Sequence, residues 1–181
     1  KREAVGARYI AVLQKIVGGD WNIAVRMKRL LENGVGAVME GEPIPTMMHL
    51  MAFFRYEEYR QSILERVTNP VTREFWERDF SAWNSSAQTE AMGPVFNRVE
   101  PLVRRPLVRH VVAQARSTLP MLAMMDAGKI VLIDLSAQDD RIGVANAEAL
   151  GALVIALVWA AASSRVKETF PVPSYFWVDE F

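Results

Sequence analysis

Residues 144–164 read Val-Ala-Asn-Ala-Glu-Ala-Leu-Gly-Ala-Leu-Val-Ile-Ala-Leu-Val-Trp-Ala-Ala-Ala-Ser-Ser, and on a helix they are apolar on nearly every face. A helix of this kind needs cover all round, so it must lie inside a layered fold. Two runs flanking it offer that cover. Residues 129–135, Lys-Ile-Val-Leu-Ile-Asp-Leu, form a continuous β-branched stretch suited to a strand buried on both faces. Residues 174–181, Ser-Tyr-Phe-Trp-Val-Asp-Glu-Phe, follow Pro171 and Pro173 and read as a second buried strand. Strand, helix and strand together predict a βαβ unit, with parallel strands and a right-handed crossover. Gly151 and several alanines let the helix approach the sheet closely. The uninterrupted apolar run, residues 149–162, is shorter than the ~20 residues of a bilayer span, so the helix is expected in a core and no membrane span is expected in the chain.

Parallel strands would bring Asp179 and Glu180 to the same edge as Asp134 and Ser136, and open α/β sheets keep their chemistry at that carboxyl edge. Apolar residues followed by Asp-Glu have the form of a Walker B motif. In that motif the aspartate, here Asp179, joins the shell of a Mg²⁺ ion, and the glutamate, Glu180, orients and deprotonates the attacking water. An ordinary strand running into a solvated turn gives the same pattern. Arg141, in the loop after the first run, shares that edge and can sense a γ-phosphate; Asp134 can assist the metal site, although an aspartate near a strand end more often caps the following turn. Arg165 closes the long helix and is expected to interact with its macrodipole.

The remainder reads as helical. Helices are expected over residues 4–17, stopped by Gly18-Gly19, and 20–31, capped by Asp20 and terminated at Gly34. After a loop at 41–45, Thr46 caps residues 47–54, and 55–66 continue helically. Asn69-Pro70 starts a helix to about residue 83 that carries Phe75, Trp76, Phe80 and Trp83 on one broad face. Those aromatic residues are expected in a core rather than in a base-stacking surface. Residues 85–88 form a polar break, and Thr89 caps a helix to about 103. Residues 108–113 are a short apolar, β-branched piece, Ser117 caps a helix over 119–125, and Asp126-Ala127-Gly128 makes a turn. The division is an all-α helical domain at 1–105 and a sheet-bearing domain at 106–181.

Composition narrows the chemistry. There are no cysteines, which excludes disulfides, thiolate metal sites and cysteine nucleophiles and suits a reducing, cytoplasmic setting. His49 and His110 are far apart, with no acidic partner at ligand spacing. Lys+Arg and Asp+Glu both total 21, so the chain does not coat nucleic acid by bulk charge. A local basic stretch remains, made of Arg98, Arg104, Arg105, Arg109, His110 and Arg116 and relieved by Glu100. It can track a DNA backbone or a neighbouring subunit's phosphates, or it can be a salt-bridged, solvated face. Starting at Lys1 with no signal peptide and stopping at Phe181 on the edge of an expected strand, the sequence reads as a piece of a longer protein.

Gly128-Lys-Ile-Val-Leu-Ile-Asp-Leu-Ser136, Gly143, Leu150-Gly-Ala-Leu153, Ala160-Ala-Ala162 with Arg165, and Phe176-Trp-Val-Asp-Glu-Phe181 together resemble the second half of the nucleotide-binding core of HerA/FtsK-type P-loop ATPases. The nearest likeness is to the TraD/TraG-like coupling proteins and related ATPases of conjugative type IV secretion. The upstream helices, with Phe75-Trp76 and Pro94-Val-Phe-Asn-Arg98, are similar to the helical insertion of that family. The likeness is good over 128–181 and loose elsewhere. It implies an α/β fold, a partial P-loop (RecA-like) parallel sheet core preceded by the helical domain. It also implies ATP and Mg²⁺ as cofactors, a hexameric ring, secretion-system components or DNA as partners, and attachment at the inner membrane, if any, through parts outside this chain. Asp179 would be the metal-shell ligand and Glu180 the general base, with Ser136 and Arg141 on the nucleotide side. No Gly-x-x-x-x-Gly-Lys-Ser/Thr occurs in the chain, so the phosphate cradle must lie upstream of Lys1 or be absent, and the isolated chain is expected to be inert. The rival reading is a non-catalytic helical interaction module that binds a secretion or DNA-processing partner.

Overall fold

The computed structural model describes residue 10 and residues 25–136, 142–165 and 173–179. Among these residues the chain runs α1 (Val25–Gly41), α2 (Met47–Arg55), α3 (Glu57–Leu64), α4 (Pro70–Glu74), a π-helical stretch (Phe75–Phe80), α5 (Ser85–Arg104), α6 (Pro106–Val112), α7 (Met121–Asp126) and α8 (Val144–Ser164).

Local sequence explains most of these bounds. Thr46 caps α2, and its backbone N–H donates to His49 Nδ1 at 3.1 Å, so this histidine closes a helix start. Asn69 Oδ1 accepts from the N–H groups of Val71 and Thr72 at 3.0 and 3.3 Å, with Pro70 at the first helical position of α4. Asn84 caps α5 through Ala87 N–H at 2.9 Å. Pro106 forces Arg105 into an extended conformation (ψ 122°), which separates α5 from α6.

One hydrophobic cluster holds the helices together, and it extends from Met27 to Leu150. Phe53, Leu50, Leu30 and Ile63 are fully buried in it, each worth roughly 1.5–3 kcal/mol relative to exposure. Phe53 meets Trp76 edge-on at 4.8 Å, and Trp76 lies 4.7 Å from Phe80. The expectation of an aromatic core therefore holds. Two glycines let α1 pack closely: a Cβ on Gly34 would overlap the Phe54 ring, and one on Gly41 would come within 2.9 Å of the Ile63 carbonyl oxygen.

Several expectations are corrected. The α/β architecture does not form: among the described residues there is no strand and no sheet, and the fold is mostly all-α. Residues 129–135 and 173–178 carry no ladder, so among the described residues there is neither a parallel P-loop (RecA-like) core nor a βαβ unit. A β-branched run becomes a strand only when neighbouring strands take up its N–H and C=O groups. Gly34 does not stop a helix; α1 runs through it to Gly41 because its value lies in the contact with Phe54. α5 starts at Ser85 rather than after Thr89 and continues through Pro94 and Pro101. Residues 108–113 fall largely within α6, and Ser117 accepts from Leu119 N–H in a turn ahead of α7 instead of capping it. α8 has the expected bounds, but few of its residues are fully buried and Trp159 is 73% exposed. By length and composition α8 could cross a membrane, a property it shares with core helices of soluble proteins. The helix expected at 4–17, Ile10 apart, and the Asp20 start of the one expected at 20–31 lie outside the described residues, while 25–31 fall within α1.

Candidate functional site

The carboxyl-terminal third is built around one arginine. Arg165, at the C-terminal end of α8, is 6% exposed. Its Nε lies 2.8 Å from Asp126 Oδ1, an ion pair with the last residue of α7, and its Nη1 donates to Ser174 Oγ at 3.1 Å. Asp126 immediately precedes the turn into 129–135, where Gly128 has φ 61°, and Ser174 opens the second apolar run. Both runs thus start from the same buried guanidinium. Sequence reasoning gave Arg165 a helix-end role, which it has, and missed the two side-chain partners. The available signal was an arginine closing an apolar helix, with an aspartate closing the helix before it.

The first run meets α8 at its end, where a Cβ on Gly151 would sit 3.6 Å from Leu135 Cδ1. Its outward residues Ile130 and Leu132 are 89% and 90% exposed. At its end the Asp134 carboxylate accepts from Ser136 N–H at 2.8 Å, and this bond, with help from the Ser136 hydroxyl, holds the carboxyl below its ordinary range. Of the two roles expected of Asp134, this bond is the turn cap. The second run is equally open, with Tyr175 84% and Trp177 89% exposed, and it ends at the exposed carboxylate of Asp179. Glu180 and Arg141 lie outside the described residues. Among the described residues no hydrogen bond or ion pair joins Ser136 to Asp179, so the structure unites the starts of the two runs and leaves their acidic ends unlinked.

By chemical type alone these residues match what the resemblance implies for Mg²⁺, and no contact among the described residues brings them to one place. Asp179 and Ser136 offer hard oxygens, and Mg²⁺ commonly takes one or two carboxylates, completing its shell with water and phosphate oxygens. No cluster of three or more His, Asp or Glu side chains that could hold a metal unaided occurs among the described residues. A groove between α7 and α8, lined by Leu119, Leu122, Leu157 and Ala161, has Asp126 and Ser164 on its rim.

The basic stretch is partly neutralised. Glu100 pairs with Arg55 at 3.1 Å and with Arg104 at 3.2 Å, and the Arg55 hydrogen bond chiefly depresses its carboxyl. The Arg105 guanidinium covers Gly143 at the start of α8, its Cζ 3.3 Å from where a Cβ would sit. Arg116 is exposed, Arg109 is half-buried, and the side chain of Arg98 falls outside the described residues. No family model matches the chain, and no curated protein and no solved structure matches it.

Proposed function

We propose that the chain supplies the carboxylate side of a nucleotide site in an ATP-driven motor that moves DNA or protein in conjugation or type IV secretion. The phosphate cradle comes from residues outside this sequence. The observation that carries this reading is the exposed carboxylate of Asp179, which closes an apolar run tethered at its start by Arg165. The likeness of Phe176-Trp-Val-Asp-Glu-Phe181 to a Walker B motif gives that carboxylate its task, with Asp179 in the Mg²⁺ shell and Glu180 activating water. In the intact protein, meaning the chain together with whatever supplies the cradle, Glu180→Gln should abolish ATP hydrolysis while ATP binding is kept. Hydrolysis that survives the substitution rules Glu180 out as the base and removes this reading.

The exposure of Ile130, Leu132, Tyr175 and Trp177 favours a second reading, a non-catalytic module that covers these side chains with a secretion or DNA-processing partner. On that reading the intact protein neither binds nor hydrolyses ATP, and the same measurement separates the two.

A further inference from the structure

We propose that Arg165 is a positioning residue: by holding Asp126 and Ser174 at once, it fixes where the run ending in Asp179 starts relative to the run ending in Asp134-Ser136. This rests on the nucleotide reading above. A guanidinium suits the task because one edge of its rigid plane can face a carboxylate while Nη1 donates to a hydroxyl elsewhere, and its charge cannot be titrated away. Burial adds to the constraint. A buried charge is tolerated only while its partners stay in place, so the pair with Asp126 resists displacement. From Ser174 only five further residues lead to Asp179, so an anchor at the first restricts the reach of the last to roughly 17 Å. Without the anchor, the carboxylate would have to be located by an apolar run whose side chains are mostly solvent-exposed.

The absence of cysteine makes a direct test practical. Ile130→Cys and Tyr175→Cys, both at highly exposed positions, take spin labels without competition, and the label-to-label distance in the intact protein reports how the two runs are held. With Arg165 present a narrow distribution is expected. Arg165→Ala should broaden it, and Arg165→Lys should recover part of the order. In the unlabelled intact protein Arg165→Ala should lower kcat for ATP hydrolysis on the order of 10²-fold, the scale of a small misplacement of a reacting group. It should also raise the Mg²⁺ concentration needed for half activation, while metal-free ATP binding is unchanged. A purely structural arginine would not move the Mg²⁺ requirement selectively. Should Arg165→Ala fail to fold, Ser174→Ala removes the hydroxyl that accepts from Arg165 at an exposed residue and should give the same broadening to a lesser degree. An unchanged distance distribution in these variants overturns the proposal whatever the activity, and so does a broadened one with unaltered kcat and Mg²⁺ requirement. Turnover that survives Glu180→Gln is a different result, which defeats the nucleotide reading itself.

Discussion

Glu40 stands in the last turn of α1, where a carboxylate faces the negative end of the helix dipole and is disfavoured by it. Three donors from the segment before α4 offset that. The Thr68 hydroxyl and the Thr68 N–H (2.7 Å) donate to Oε1, and Asn69 N–H donates to Oε2 at 3.4 Å. The Thr68 hydroxyl is the main reason the Glu40 carboxyl lies below its ordinary range in the folded chain. Because the folded group is the stronger acid, the unfolded chain binds more protons as pH falls. The stabilisation is therefore complete above the unfolded value of about 4.3 and fades as pH drops through the lower folded one. Urea unfolding of Glu40→Gln at a series of pH values should show a shallower loss of stability below about pH 4.5 than the parent. Parallel curves would mean that the Thr68 contacts do not persist in solution. Tyr59 shows the opposite displacement: burial, followed by its hydrogen bond to Glu42 at 2.5 Å, pushes the phenol upward, so it stays neutral through the working range.

Among the elements, α4 best shows how a short helix is fixed by its first residues. Five residues are too few to hold helical shape by propensity, so the Asn69 cap and Pro70 carry the start while the π-helical stretch behind them is anchored by Phe75 and Trp76. Asn69→Ala leaves the Val71 and Thr72 N–H groups without their side-chain acceptor and should cost about 1 kcal/mol, while Asn69→Asp should cost far less. The test is the urea midpoint at constant m. An Asn69→Ala midpoint equal to the parent's would show that the helix is held from its far end. This start was legible in the sequence because a cap followed by proline is local chemistry, as were Thr46 ahead of α2 and the bounds of α8. What misled was chemistry whose meaning depends on distant residues. Gly34 reads as a stop when its neighbour Phe54 is invisible, and Asn84 is hidden inside a polar stretch. Residues 129–135 read as a strand although a strand is a property of at least two chain segments.

At the scale of the whole molecule the apolar side chains are divided. The helices from α1 to α6 bury the larger share of theirs around Phe53 and Trp76, while the segments flanking α8 leave Ile130, Leu132, Tyr175 and Trp177 facing solvent. The placement of Asp179 was the least legible feature for the same reason: no strand partner fixes the run that ends in it among the described residues. The division predicts that equal chemical changes will have unequal costs. Leu132→Ser alters a side chain that is 90% exposed, and a surface change of this kind moves stability by no more than about 0.5 kcal/mol. Leu50→Ser, at 1% exposure, empties a packed site and inserts a hydroxyl with no prepared partner, and should cost roughly 2–5 kcal/mol or more. Thermal denaturation of the two variants beside the parent makes the comparison. If Leu132→Ser lowers the transition as far as Leu50→Ser does, residues 129–135 are buried in solution and the carboxyl-terminal third packs differently from the arrangement described. If it does not, Leu132 is a surface residue of the folded chain, and any loss of nucleotide turnover or partner binding it causes can be assigned to that surface rather than to unfolding.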